Sequence, residues 1–378
     1  MRASASPAGS LVTWSLALLF LALIDRALTS HPVLWAPTTF EDSRELGEIV
    51  FSQTYQAARA IYAPPPVNGP RVALLGNSRV WLTGRPSYLT HELATLAPDR
   101  NITVQNLGIF GAGIGDLEVL SRHLPRLDLA AVVVAIGTSD LLSTPYTPIA
   151  GLASQLLTIG WSNGPLPPAS SGAVFDRWLR TLWPLYRFRE FSRATLQDHI
   201  APSPKSEPFP AHFATTRAVF DYMHGPQARE AESAYRAWRA NQTLAGFVDY
   251  LRVGSTAHLS MVRERAAQSA PLRTDSPGIR SLDTLLARLS AGPWRTTVLI
   301  MPENPILRLD VGNEYHHPGC SDDAMSWLTT TAAAHGVRIV DARNWMPPEA
   351  FLDFDHMLPD LSGFQQPLSQ EIVRAIGP

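Results

Sequence analysis

Arg71-Val-Ala-Leu-Leu-Gly76-Asn77-Ser78-Arg79 is the stretch on which the reading of this chain turns. Val72 to Leu75 form a short apolar run of the kind that fills a buried strand. Gly76 breaks the run, and Asn77 and Ser78 follow where the chain must turn. A serine at the carboxyl end of a first parallel strand stands where open α/β sheets place their ligands. Two uses are open to it. Its hydroxyl can cap the helix that follows, or it can serve as a nucleophile if a histidine base arrives from elsewhere.

Moving outward, strand-like and helix-like segments alternate. Ile102 to Leu107 reads as a second strand, followed by the glycine-rich run Gly108-Ile-Phe-Gly111-Ala-Gly113-Ile-Gly115. Asp116 opens a helix with Leu117, Leu120 and Leu124 on one face. Ala130 to Ile136 is an unbroken apolar run suited to burial on both faces of a sheet, and it ends in Gly137-Thr138-Ser139-Asp140. The alternation then stops. Between residues 145 and 280 lie proline clusters and helical stretches rich in tryptophan and arginine, with no strand pattern. It resumes with a helix over 281–290, strands over 295–301 and 337–341, and helices over 325–335 and 369–376. The expected fold class is α/β, a three-layer α/β/α sandwich with a five-stranded parallel sheet of flavodoxin-like type. The α/β domain covers 71–144 and 281–378, interrupted by a mostly helical insertion over 145–280. Residues 31–70 form a helical linker.

The chain has 378 residues, a formal charge of −2 and one cysteine, Cys320. Near-neutral charge gives no electrostatic basis for binding nucleic acid. A lone cysteine excludes an internal disulfide, and no Cys/His group has zinc spacing, so no metal or cofactor is expected. Residues 1–30 contain the apolar block Leu11 to Ile24, which at a rise of ~1.5 Å per residue covers about 21 Å. Counting back to Ala3 gives 22 uncharged residues, near the length of a membrane helix. A membrane anchor, a cleaved signal and a core helix all fit. The anchor is preferred, because Asp25-Arg26 follows at once and Ala27-Leu28-Thr29 makes a poor cleavage site. With Arg2 inside, the body of the protein is expected to be periplasmic or extracellular, or secreted if cleavage occurs.

Near the far end stands Asp353-Phe-Asp355-His356. An aspartate three residues before a histidine can accept a bond from imidazole Nδ1–H and leave Nε2 to take a serine proton. Ser78, the glycine-rich turn, Gly137-Thr-Ser-Asp140 and Asp353-x-x-His356 each follow a strand, so they converge on one edge of a parallel sheet.

This set of blocks resembles the SGNH, or GDSL-like, hydrolase superfamily. Gly76-Asn77-Ser78 stands where the family has Gly-Asp-Ser, Gly108-Ile-Phe-Gly111 stands for its second block, and Asp353-x-x-His356 for its last. The likeness covers about 71–144 and 295–378. It implies a triad of Ser78, His356 and Asp353, and an oxyanion hole from the N–H groups of Ser78 and Gly111 with Ser139. The third block departs, because Ser139 replaces the family's asparagine donor. Losing such a donor costs ~10²–10³ in rate. The implied function is a serine esterase or acyltransferase acting on an acylated envelope glycan or other small ester. A membrane-anchored chain with a large insert is similar to the periplasmic branch that handles acyl groups in alginate acetylation and teichoic-acid D-alanylation. The alternative, favoured by Ser139, is a catalytically inactive relative that binds a glycan or a protein partner in an envelope assembly.

Other residues have plainer readings beside the functional one. Arg79 can hold an anionic substrate or lie in solvent at a helix start. Asn304, after the fourth strand, can line the pocket or simply form an Asn-Pro turn. His316-His317 lack a third metal ligand at useful spacing. Trp178, Trp183, Tyr186, Tyr235 and Trp238 can form a sugar platform, although core packing suits them better. Asp355 competes with Asp353 as the orienting acid. A flavodoxin-like nucleotide site lacks its phosphate-cradling glycines.

Overall fold

The computed structural model describes residues 7–29, 66–84, 86–109, 111–142, 227–241, 277–305, 320–347, 350–351, 356–357 and 363–377, with a few single positions between them. In chain order the elements are α1 (Pro7–Thr29), β1 (Arg71–Gly76), α2 (Ser78–Thr83), α3 (Pro86–Leu96), β2 (Thr103–Gly108), α4 (Ile114–Ser121), β3 (Ala131–Ile136) and α5 (Thr138–Leu142). There follow α6 (Ala228–Asn241), α7 (Pro277–Ser290), β4 (Arg295–Ile300), α8 (Cys320–Ala334), β5 (Arg338–Asp341) and α9 (Gln365–Ile376).

The five strands form one parallel sheet in the order β2-β1-β3-β4-β5. All five expected strands are present, to within a residue or two at their ends. Every residue of β1 and β3 is buried, whereas the edge strands β2 and β5 are only partly so. Central strands covered on both faces need apolar side chains at every position, which is why Ala-Val-Val-Val-Ala-Ile could be read without alternation. From β1 the chain moves to β2 on one side, and from β3 it moves to β4 on the other. Right-handed crossovers therefore send α3 to one face and α4, α7 and α8 to the opposite face. Consistent with this, α9 packs on α3, and α7 packs on α4.

On the α3/α9 face, Val72, Leu74, Val133, Ala135 and Leu299 of the sheet meet Leu89, Leu93, Leu368 and Ile372 of the helices. Period-2 alternation turns Ala73, Leu75, Val132, Val134 and Ile136, all buried, to the other face.

The chain divides into two compact units, one of Met1–Phe40 with Ser154–Lys205 and one of Glu41–Ala153 with Ser206–Pro378. Within the second unit, Tyr235 and Trp238 of α6 cluster with Tyr250 at centroid distances of 5.4–6.2 Å, with Trp238 stacked on Tyr250. All three are buried, so these aromatics serve as core and not as an open sugar platform. Trp178, Trp183 and Tyr186 lie outside the described residues.

In the first unit, the side chains described on α1 run from Val12 to Ile24, and Val12, Trp14, Leu16, Leu18, Leu19, Phe20 and Leu23 are exposed. Among the described residues no helix is long and apolar enough to cross a membrane, so the expected span has no support there.

Candidate active site

The point between β1 and β3, where the chain departs in opposite directions, leaves a crevice at the carboxyl ends of the strands. Ser78 lies at that crevice. Asn77 takes an extended conformation as the N-cap of α2, and its side-chain oxygen accepts the N–H of Arg79 at 3.1 Å. The capping role considered for the serine is therefore performed by the preceding asparagine, which leaves the Ser78 hydroxyl for another partner. That partner is His356. Its Nε2 lies 2.8 Å from Ser78 Oγ, across 278 residues of sequence. Both side chains are 8 % exposed, sheltered from bulk water without being sealed.

An antiparallel bridge between Phe351 and Met357 brackets the histidine. Phe351 and Met357 are both buried in the α3/α9 core, so the residue next to His356 is anchored there. Asp353 and Asp355, the two candidates for orienting the imidazole, lie outside the described residues, as do His316 and His317.

The remaining strand ends are wired to the same edge. Asn106, near the end of β2, donates through its side-chain amide to the Val80 carbonyl at 3.1 Å and accepts the N–H of Gly108 at 2.8 Å. The amide thereby ties the β2 turn to the helix that bears Ser78. Gly111 has φ of 71°, a left-handed conformation that a side chain disfavours, in the turn closed by Ala112 N–H to the Ile109 carbonyl at 3.0 Å. Ser139 lies in the first turn of α5, directly after β3. Thr138, which begins that helix, donates its N–H to Glu303 at 3.1 Å, and its hydroxyl donates to the same carboxylate.

Two residues expected from the sequence to contact substrate are buried. Arg79 is 1 % exposed and forms an ion pair with Asp140 at 2.6 Å, so its guanidinium is directed into the protein and not toward an anionic ligand or solvent. Asn304 follows β4 at the correct edge but is 1 % exposed, a buried structural position more than an open ligand contact. Sequence reasoning missed the Arg79–Asp140 pair, the Asn106 brace and the Thr138–Glu303 link. Each partner stood in a segment already identified as a strand end, but pairing across more than twenty residues leaves no local pattern.

Asp116, on the first turn of α4 beyond the glycine-rich loop, is a titratable group the sequence reading used only as a helix start. Burial pushes its carboxyl up to about 7, opposed by the bond it accepts from Gly113 N–H at 3.0 Å. The native state therefore holds this proton more tightly than the unfolded chain. Its contribution to stability is complete below the ordinary value of 3.8 and is lost as pH rises toward about 7. At ~1.4 kcal/mol per unit the loss has an upper bound of about 4 kcal/mol. Asp116→Asn keeps an acceptor for Gly113 and removes the charge. Thermal unfolding should show the variant more stable than the parent at pH 8 and nearly equal to it at pH 4. A constant difference across that range would rule out a buried, proton-holding carboxyl.

No family model and no curated protein matches the chain. A solved structure of a gut microbial diltiazem-metabolizing enzyme is similar at 13 % identity and a TM-score of 0.32. The match covers 75 % of this chain and 38 % of that one, so the chain spans well under half of that protein's length. Likeness at this level leaves the functional argument to the site itself.

Proposed function

We propose that the protein is a serine esterase or acyltransferase of the SGNH kind. The observation that carries this is the 2.8 Å contact between Ser78 Oγ and His356 Nε2 at the switch point of a parallel sheet. A hydroxyl within hydrogen-bond reach of an imidazole nitrogen is the geometry a general base requires. Ser78 Oγ attacks the carbonyl carbon of an ester while its proton passes to His356 Nε2. The imidazolium then protonates the departing alkoxide, leaving the acyl group on Ser78. Water, or a sugar hydroxyl, attacks that acyl-enzyme with His356 again as base, and the serine is regenerated. Asp353 is assigned the orienting role on His356, and the N–H groups of Ser78 and Gly111 with Ser139 the stabilisation of the oxyanion. The substrate class is an acylated glycan or other small ester.

Attachment to a membrane through α1, with the α/β body outside it, belongs to the same proposal. Its basis is the apolar block Leu11 to Ile24 read in the sequence. Recovery of the full-length chain in the alkaline-washed membrane fraction is the expected result, and recovery wholly in the wash would remove it.

A fluorophosphonate probe tests the chemistry. The native protein should become covalently labelled, with the label mapping to Ser78, while a chain that only binds glycan or partner through this fold would stay unlabelled.

A further inference from the structure

Ser78 is held between two residues that are themselves tied to β3. We infer that Arg79, Asp140 and Asn77 form a clamp that sets the position of the Ser78 hydroxyl, making Arg79 and Asp140 positioning residues of the acyl-transfer reaction. The inference rests on the serine reading proposed above and adds residues to it.

Asp140 Oδ2 is the hub. It accepts the Arg79 guanidinium at 2.6 Å, the Gly137 N–H at 2.8 Å and the Asn77 amide at 3.4 Å. Asn77 Oδ1 in turn accepts both the N–H and the Nε–H of Arg79, at 3.1 and 3.3 Å. The residues immediately before and after the nucleophile are therefore bound to each other and to α5, the helix after the neighbouring strand. Gly137 allows this geometry. A Cβ built there would lie 2.0 Å from Arg79 Nη1, so the guanidinium rests directly against the glycine backbone.

Energetics point the same way. An arginine 1 % exposed carries a desolvation cost that its ion pair offsets only in part. Apolar side chains in place of both partners would stabilise the fold about as well. What the arrangement supplies is a fixed direction: a planar guanidinium held at Nε by Asn77 Oδ1 and at Nη2 by Asp140 Oδ2 admits few orientations. A serine nucleophile needs such fixing, because a misplacement of about 1 Å can cost ~10²-fold in rate.

The test is the kinetics of fluorophosphonate labelling on the full chain. In that reaction the Ser78 Oγ–P bond forms, fluoride leaves and His356 takes the serine proton. The rate constant at saturating probe, the probe's half-saturation concentration and the final labelled fraction are read separately. Arg79→Met and Asp140→Asn should lower the rate constant by about 10- to 100-fold, with half-saturation and labelled fraction near those of the parent. Arg79→Lys, which keeps the charge and loses the planar guanidinium, should fall between the parent and Arg79→Met. Gly137→Ala displaces the guanidinium with every charge retained, so it gives the same reading if Asp140→Asn does not fold.

Unchanged rate constants would overturn the clamp. So would a reduced labelled fraction whose remainder reacts at the parent rate, since that marks a role in stability alone. If the parent is not labelled, or Ser78→Ala is labelled equally, the serine reading itself fails and the clamp with it.

Discussion

Ser78→Ala should abolish turnover of a chromogenic acetyl ester, with a loss of roughly 10³-fold or more. The variant should also stay as stable as the parent, because the cap of α2 is Asn77 and not the serine. His356→Ala should lose about as much. The double variant should be little worse than either single one, since nucleophile and base act as a unit and their deletions do not add. This pattern separates a joint role from two independent ones. Losses that multiply in the double variant would mean that the 2.8 Å contact is not the reacting pair. Turnover that survives Ser78→Ala would place the chemistry elsewhere.

The largest effect on stability is expected at Phe351→Ala. Phe351 is fully buried in the cluster that joins the sheet to α3 and α9, and it pairs with Met357 across the segment bearing His356. Deleting a buried phenyl ring removes its transfer energy and leaves a cavity, together about 3–5 kcal/mol. For a domain of this size that corresponds to a fall in Tm on the order of 10 °C. Because the cavity opens beside the bridge, the labelling rate should fall as well, even at temperatures where the protein is fully folded. A Tm within a degree or two of the parent would show that the site-bearing segment is not anchored through this ring.

The sheet was readable in advance for a physical reason. A strand covered on both faces has no freedom to carry polar side chains, so Val72–Leu75 and Ala131–Ile136 stand out in any polar context. The edge strands β2 and β5 relax that demand and carry partly exposed residues. Ser78 and His356 could be named because strand ends in a parallel sheet share one edge, which converts order along the chain into proximity. The clamp could not be named. Arg79 beside a nucleophile looks like a substrate contact, and only the fold brings Asp140 to within 2.6 Å of it. Burial was equally hidden at Asn304, because Asn-Pro reads as a surface turn. The aromatic residues of α6 were read correctly as core, since rings at positions 235 and 238 recur at helical spacing.

The 278-residue gap between Ser78 and His356 also has a consequence for the newly made chain. Synthesis runs from the amino terminus, and early segments begin to fold first. Ser78 thus leaves the ribosome long before His356, and β4, β5 and the Phe351–Met357 bridge must follow before the two can meet. A nascent chain with β1 to β3 already paired would carry an unactivated serine. On the mechanism proposed above, the Ser78 hydroxyl becomes reactive only after His356 and the elements that seat it have been made.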